Sequence, residues 1–384
     1  MQCPHFDAGE CRSCALMGQP YPTQVADKVG RCRELLDGVG GGDAVWLVPF
    51  TGPESGFRNK AKMVVTGTVD APVLGILDHR DRSGATGVDL TDCGLYPASL
   101  QATFEPLAAF VTRAGLTPYD VPARRGELKY LIVTQAPSGE LMVRWVLRSQ
   151  EPVARIRKHL GWLRDTLPGL AVASVNVQPE HKAILEGDLE LVLTERETLG
   201  MQVGGLDLHL RPQSFFQTNT TVAAALYDQV AAWVDEAAPA RVWDLYCGVG
   251  GFALRCAAPG REVVGVETSR EAVASAAHTA RDAGLPGTRF VADDATAFAL
   301  AAPPDDVPDL VVVNPPRRGI GPELAGWLEA SGVRDVVYSS CNAVTLAKDL
   351  AAMPSLRPTH VRLLDMFPQT HHYEVVVRLT RELT

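Results

Sequence analysis

The stretch Arg241-Val242-Trp243-Asp244-Leu245-Tyr246-Cys247-Gly248-Val249-Gly250-Gly251-Phe252 runs a short apolar segment into a cluster of glycines. The apolar half reads as a buried strand. The glycines let backbone approach a ligand closely, and the helix start that follows supplies N–H groups with no partner inside the helix. Outward from this point, strand-like runs recur at 241–246, 262–267, 288–292, 309–314, 335–339, 360–365 and 373–379. Ala-rich helical stretches at 221–237, 250–258, 270–283, 322–331 and 344–352 lie between most of them. Strands separated by helices of this size predict βαβ units and a parallel sheet with helices on both faces. A short loop separates the last two strands, which excludes a helical crossover and predicts an antiparallel hairpin ending the sheet.

Upstream the pattern differs. Residues 1–43 open with a cysteine cluster and end in the turn-forming run 38–42. Residues 44–210 mix β-like runs (44–49, 60–69, 130–134, 141–146, 189–193) with a basic helical segment near 151–166. Frequent Gly and Pro between them predict an α+β region rich in antiparallel strands. The expected domains are 1–43, 44–210 and 211–384, a division that suits a chain of 384 residues.

A hydrophobic fraction of 46% and a charged fraction of 21% are those of a soluble globular chain. The sequence has no apolar run of membrane-spanning length, and its N-terminus lacks the basic start and apolar run of a secretory signal. A cytoplasmic location is expected, where the eight cysteines are not a disulfide framework. No membrane and no obligate protein partner are expected, and the chain reads as a monomer. The net charge of −9 argues against a nucleic-acid partner. Residues 121–164, however, hold nine Lys/Arg against three acids. A basic face can meet phosphates on an acidic protein because salt screens distant charges; a solvated surface fits the charge equally well.

The sheet pattern brings candidate ligands to its carboxyl ends, where open α/β sheets bind. Glu267 follows Gly248 by 19 residues and suits the ribose hydroxyls of a nucleoside cofactor. Asp293 and Asp294 end the third strand, where one can reach an adenine amino group. In Asn314-Pro315-Pro316-Arg317-Arg318-Gly319 the prolines fix an extended backbone that holds the Asn314 carboxamide at the mouth of the sheet. Enzymes that methylate exocyclic amines use a related motif followed by an aromatic residue; Arg317 in that place counts against amine chemistry.

Asp335-Val-Val-Tyr-Ser339-Ser340-Cys341-Asn342 reads as a buried strand delivering a cysteine to the same crevice. Ser340, Asn342, the following helix start and the two arginines can stabilise its thiolate. A thiolate added to carbon 6 of uracil makes carbon 5 strongly nucleophilic, after which a base must remove the carbon 5 proton. Glu374, an acid heading an apolar strand, is the candidate base, since partial burial would raise its pKa.

Together these motifs, with His371-His372-Tyr373-Glu374 and Arg211-Pro212-Gln213-Ser214-Phe215-Phe216-Gln217-Thr218-Asn219, resemble the RNA uracil-C5 methyltransferase family over essentially the whole chain. The resemblance implies a class I S-adenosylmethionine methyltransferase fold, with Cys341 as nucleophile and Glu374 as base. It places Gln217, Tyr246, Gly248, Glu267, Asp294 and Asn314 at the cofactor and stacks Phe215 on the flipped-out base. Cys3, Cys11 and Cys14, with Cys93 downstream, suit either zinc or an iron–sulfur cluster by spacing. The resemblance favours [4Fe–4S] and implies a short, 23S rRNA-directed type acting on uridine 747, without an N-terminal TRAM barrel. Arg58, Lys60 and Lys62 are the expected RNA contacts. Three other readings stay open: the same chemistry at another rRNA or tRNA uridine, an amine methyltransferase, which would not depend on Cys341, and a non-catalytic iron–sulfur RNA-binding protein, which would not release the carbon 5 hydrogen.

Overall fold

A computed structural model describes residues 1–182 and 184–381. The chain divides into two compact units. One comprises Gly18–Gly52 and Gln202–Thr384, the other Met1–Met17 and Pro53–Met201.

The first unit is built on an eight-stranded sheet: β1 (Val45–Trp46), β2 (Arg241–Leu245), β3 (Glu262–Glu267), β4 (Thr288–Ala292), β5 (Leu310–Val313), β6 (Asp335–Ser340), β7 (Leu356–Leu364) and β8 (Glu374–Arg381). The order is β1-β7-β8-β6-β5-β2-β3-β4. All neighbours run parallel except β8, which pairs antiparallel with both β6 and β7. The expected parallel sheet with a terminal antiparallel pair is therefore present. Its placement differs, because β8 inserts between β6 and β7 and β1 covers the outer side of β7. The reason lies in β8 itself, whose Val375, Val376, Val377 and Leu379 are fully buried. A strand apolar on both faces belongs in a sheet interior.

The three sequence blocks do not match the two units. Helix Tyr21–Leu36 sends Cys32 and Leu36, both fully buried, into the core of the eight-stranded sheet. Residues 44–49, read as part of the central region, supply β1 to that same sheet. Residues 18–52 thus belong with the glycine-turn unit, and the cysteines upstream of them with the other.

In the second unit seven strands lie in the order Gly87–Asp89, Pro72–Leu77, Lys60–Gly67, Leu128–Gln135, Leu141–Leu147, Leu170–Val177, Leu189–Val192. Pairing is antiparallel except between Leu141–Leu147 and Leu170–Val177. Those two run parallel because helix Val153–Thr166 carries the chain back between them. Phe104, Phe110, Trp145 and Leu163 pack one face of this sheet into a fully buried core.

Candidate active site

The glycine turn after β2 is held by the acid at the end of β3. Glu267 Oε2 accepts the Gly248 N–H at 3.2 Å, while Oε1 accepts Ser269 N–H at 3.0 Å and the Thr268 hydroxyl at 2.9 Å. Gly248 has φ +54°, and a Cβ on Gly251 would stand 2.6 Å from the Tyr227 ring, so both positions need glycine. Tyr246 has φ +68°, a left-handed conformation costly for an aromatic residue and typical of functional turns. Its phenol bonds Thr296 and lies near Asp294 and Arg318. Asp294 Oδ1 caps the next helix by accepting Thr296 and Ala297 N–H at 3.0 and 2.9 Å. Asp293 accepts the Asp294 N–H at 2.8 Å, and Asp294 is the neighbouring acid whose charge bears on the Tyr246 phenol. Beneath the turn, Asp244 is fully buried. Its Oδ2 accepts Ala253 N–H at 2.8 Å, and its Oδ1 has no partner. Burial pushes this carboxyl up to about 8.

Asn314 ends β5, its N–H reaching the Leu245 carbonyl at 3.4 Å. The Pro-Pro turn beyond it is fixed from below: Asp349 Oδ2 accepts the Ile320 N–H at 2.9 Å and the Tyr338 hydroxyl at 2.7 Å. The Arg317 carbonyl accepts Asn342 Nδ2 at 3.0 Å and the Thr345 hydroxyl at 3.1 Å. These bonds set Arg317 beside Cys341.

Cys341 follows β6, half-buried. Burial raises its thiol pKa and so does the nearby charge of Glu374, while the Arg317 guanidinium, which also hydrogen-bonds it, pulls the other way. The sequence reading credited Ser340, Asn342, the following helix start and the two arginines with thiolate stabilisation. The Ser340 and Asn342 side chains are committed elsewhere: Ser340 Oγ accepts Asn342 N–H at 3.0 Å, and Asn342 Oδ1 accepts Val344 N–H at 3.2 Å as a helix cap. Arg317 keeps that role. Glu374 is 3% exposed, and its Oε2 has no hydrogen-bond partner. Burial lifts its carboxyl to about 8, opposed by a hydrogen bond from Gln217 and by the Arg317 charge. A thiol, a carboxyl of raised pKa, a carboxamide and a guanidinium thus meet at the carboxyl end of the sheet. Phe215, two residues before Gln217, stands 73% exposed, an apolar ring offered to solvent.

The loop between β7 and β8 is anchored by groups sequence reading missed. Lys28 Nζ meets the fully buried Asp365 Oδ1 at 2.7 Å. Gln24 Nε2 donates to Gln369 Oε1 at 2.9 Å and accepts the Gln369 N–H at 3.1 Å through Oε1. Asn219 Nδ2 reaches the Met366 carbonyl at 3.3 Å. No local pattern joins partners up to 345 residues apart.

In the other unit Cys3, Cys11, Cys14 and Cys93 converge. Cys14 is pushed up to about 12, first by burial and then by the charges of Cys93, Cys11 and Cys3. His5 ties the two cysteine-bearing segments, with Nε2 2.7 Å from Asp92 Oδ1 and Nδ1 3.1 Å from Glu10 Oε2. Cys32 lies apart in the sheet core, where it bonds Tyr373. On the strand Lys60–Gly67, Lys60 and Lys62 share a face with Arg58 and Arg144 nearby. Much of the basic surplus at 121–164 is spent internally: Arg148 pairs with Glu127 at 2.6 Å, Arg155 with Glu151 at 2.7 Å, and Arg144 with Glu186 and Glu190.

Residues 307–382 match the family described as tRNA (uracil-5-)-methyltransferase, and residues 225–323 match the methyltransferase small domain. The chain is 49% identical over 383 residues, spanning 100% of both sequences, to the 23S rRNA (uracil(747)-C(5))-methyltransferases RlmC of Shigella sonnei and of Escherichia coli K12. In fold it is similar to the Pyrococcus abyssi tRNA (uracil-54, C5)-methyltransferase solved with S-adenosyl-L-homocysteine. That likeness has a TM-score of 0.76 and 24% identity, and covers 96% of this chain and 85% of that one. The glycine-turn unit therefore has the class I S-adenosylmethionine methyltransferase fold.

Proposed function

This chain belongs to the RNA uracil-C5 methyltransferase family, and on that premise we propose that it methylates carbon 5 of uridine 747 in 23S rRNA through a covalent Cys341 adduct. The observation that carries the mechanism is the meeting of Cys341, Glu374 and Arg317 in one crevice. Arg317 favours the Cys341 thiolate, which attacks carbon 6; the electron pair moves through carbon 5 to the carbon 4 oxygen. S-adenosylmethionine, when bound, supplies the methyl group that carbon 5 takes. Gln217, Tyr246, Gly248, Glu267, Asp294 and Asn314 would hold that cofactor around the glycine turn. Glu374, ionised, removes the carbon 5 proton, and the Cys341 bond to carbon 6 breaks as the double bond reforms. The unpartnered Oε2 is the atom that receives the proton. Phe215 stacks on the extruded base. Transcripts carrying 5-fluorouridine, which has no carbon 5 proton to lose, trap the enzyme as a covalent complex. Failure of wild type to form one, or its formation by Cys341→Ala, refutes the thiol mechanism. Loss of 5-methyluridine at position 747 in a strain lacking the gene tests the target.

Cys3, Cys11, Cys14 and Cys93 fit a [4Fe–4S] cluster. Their thiols are close enough to repel one another electrostatically. Four cysteine thiolates are the ligand set of a [4Fe–4S] cluster and equally of a structural zinc, so metal content decides between them. Equimolar iron and sulfide in anaerobically purified protein is expected; stoichiometric zinc without iron overturns the assignment. Lys60, Lys62 and Arg58 are the proposed phosphate contacts. Among the described residues no helix is long and apolar enough to cross a membrane. An enzyme acting on 23S rRNA would work in the cytoplasm.

A further inference from the structure

The seven-stranded sheet carries a cavity of about 190 Å³ that is lined by none of the groups around Cys341. Met63 and Val65 point into the core, so Val64 between them faces the other way, into this cavity. Its register partner Tyr130, with Leu77 from the adjoining strand, extends the apolar lining. Tyr119 and His181 add two more rings, joined by a 2.9 Å bond between the Tyr119 hydroxyl and His181 Nδ1. Lys129 adds a cation, with Nζ 4.9 Å from the Tyr119 ring centroid and 2.7 Å from the Glu180 carbonyl it donates to, and Val121 and the paired Glu180 and Lys182 close the lining.

Size and charge narrow the occupant. A flat heteroaromatic ring of roughly 100–150 Å³ fits, whereas drug-sized ligands need several hundred. Two and four residues before Val64 on the same strand face stand Lys62 and Lys60. Arg58 lies near both, Glu186 opposes them, and Arg144 beside them is already paired with Glu186 and Glu190. Cations pressed together beside an aromatic-lined cavity suit a base with its phosphates, because bases stack on rings irrespective of sequence while the backbone follows positive charge.

We propose that this cavity captures an unpaired nucleobase of the RNA other than the methylated uridine, with its flanking phosphates running along Lys62 and Lys60; the inference rests on reading the substrate as RNA.

The test uses the full chain with a 23S rRNA stem-loop transcript containing uridine 747, measuring affinity by filter binding over a range of salt, together with methyl transfer. Tyr119→Leu is expected to weaken binding about tenfold without changing the salt slope, and Tyr119→Phe to retain wild-type affinity. Lys62→Gln is expected to weaken binding and lower the salt slope by about one. In turnover the Tyr119→Leu loss shows in KM far more than in kcat. Val121→Trp, which fills the cavity while keeping every hydrogen bond around it, is expected to behave like Tyr119→Leu and serves if that variant does not fold. Wild-type affinity in folded Tyr119→Leu or Val121→Trp, alongside active wild type, overturns the cavity assignment. A wild type that neither binds nor methylates this RNA overturns the reading beneath it.

Discussion

Cys341 and Glu374 are both held away from their reactive ionisation states by burial; Gln217 and Arg317 favour the charged form of Glu374, and Arg317 that of Cys341. With Glu374 at about 8, breakdown of the methylated Cys341 adduct should speed up as pH rises from 6 to about 8 and then level, read as release of methylated RNA in single-turnover experiments. The sign for stability is opposite. A carboxyl raised from 4.5 to about 8 is neutral in the folded chain. Its contribution is full below about 4.5 and is lost as pH climbs toward 8, because the unfolded chain ionises first. Glu374→Gln should therefore melt closer to wild type at pH 5 and progressively above it by pH 8, and should accumulate the methylated RNA adduct on denaturing gels. For Arg317→Gln, loss of the guanidinium should slow iodoacetamide alkylation of Cys341 at pH 7.5 by about tenfold, followed by peptide mass spectrometry. An unchanged rate would remove Arg317 from the nucleophile's activation.

At the scale of elements, helix Tyr21–Leu36 and the loop between β7 and β8 act as one structure. Lys28 and Asp365 are 4% and 0% exposed, and the bond between Gln24 and Gln369 holds Gln369 at φ +67°. Removing one partner of a buried ion pair leaves the other without compensation. Lys28→Met should cost about 3–5 kcal/mol in urea unfolding, and Lys28→Met with Asp365→Leu should recover much of it. Since this loop leads directly into Glu374, the single variant should also lower kcat, whereas affinity for RNA should change little. Equal losses in both would argue for general unfolding instead.

For the whole molecule, chemistry is partitioned between two units: thiol and carboxyl at the eight-stranded sheet, cysteine quartet and basic strand at the seven-stranded one. A cluster joining Cys3, Cys11 and Cys14 to Cys93 would cross-link segments that are 79 residues apart in the chain between Cys14 and Cys93. Cys93→Ser should lose iron and the visible absorbance of the cluster. It should also expose 1–17 to limited proteolysis while S-adenosylmethionine binding, measured calorimetrically, persists. Loss of cofactor binding as well would show that the units do not fold independently.

The sequence by itself determined the catalytic unit's alternation, the glycine turn and the Pro-Pro turn, and it singled out Cys341 and Glu374 as the proposed nucleophile and base. Each is a local signal: a buried parallel strand must be apolar, a tight turn must have glycine, and a nucleophile must have a thiol. Weak signals fared worse. Strands such as Pro72–Leu77 and Leu170–Val177 and the helix Tyr21–Leu36 passed unread, because Ala, Gly and polar residues dilute their periodicity. What only the tertiary structure decided is contact between residues distant in sequence. It placed β8 in the sheet interior, returned 18–52 to the catalytic unit and, among the groups the sequence offered to the thiol, kept Arg317 and committed the Ser340 and Asn342 side chains elsewhere. It also brought Lys28 to Asp365. Such pairings carry no spacing rule, since they arise from burial geometry that exists only once the chain has closed on itself.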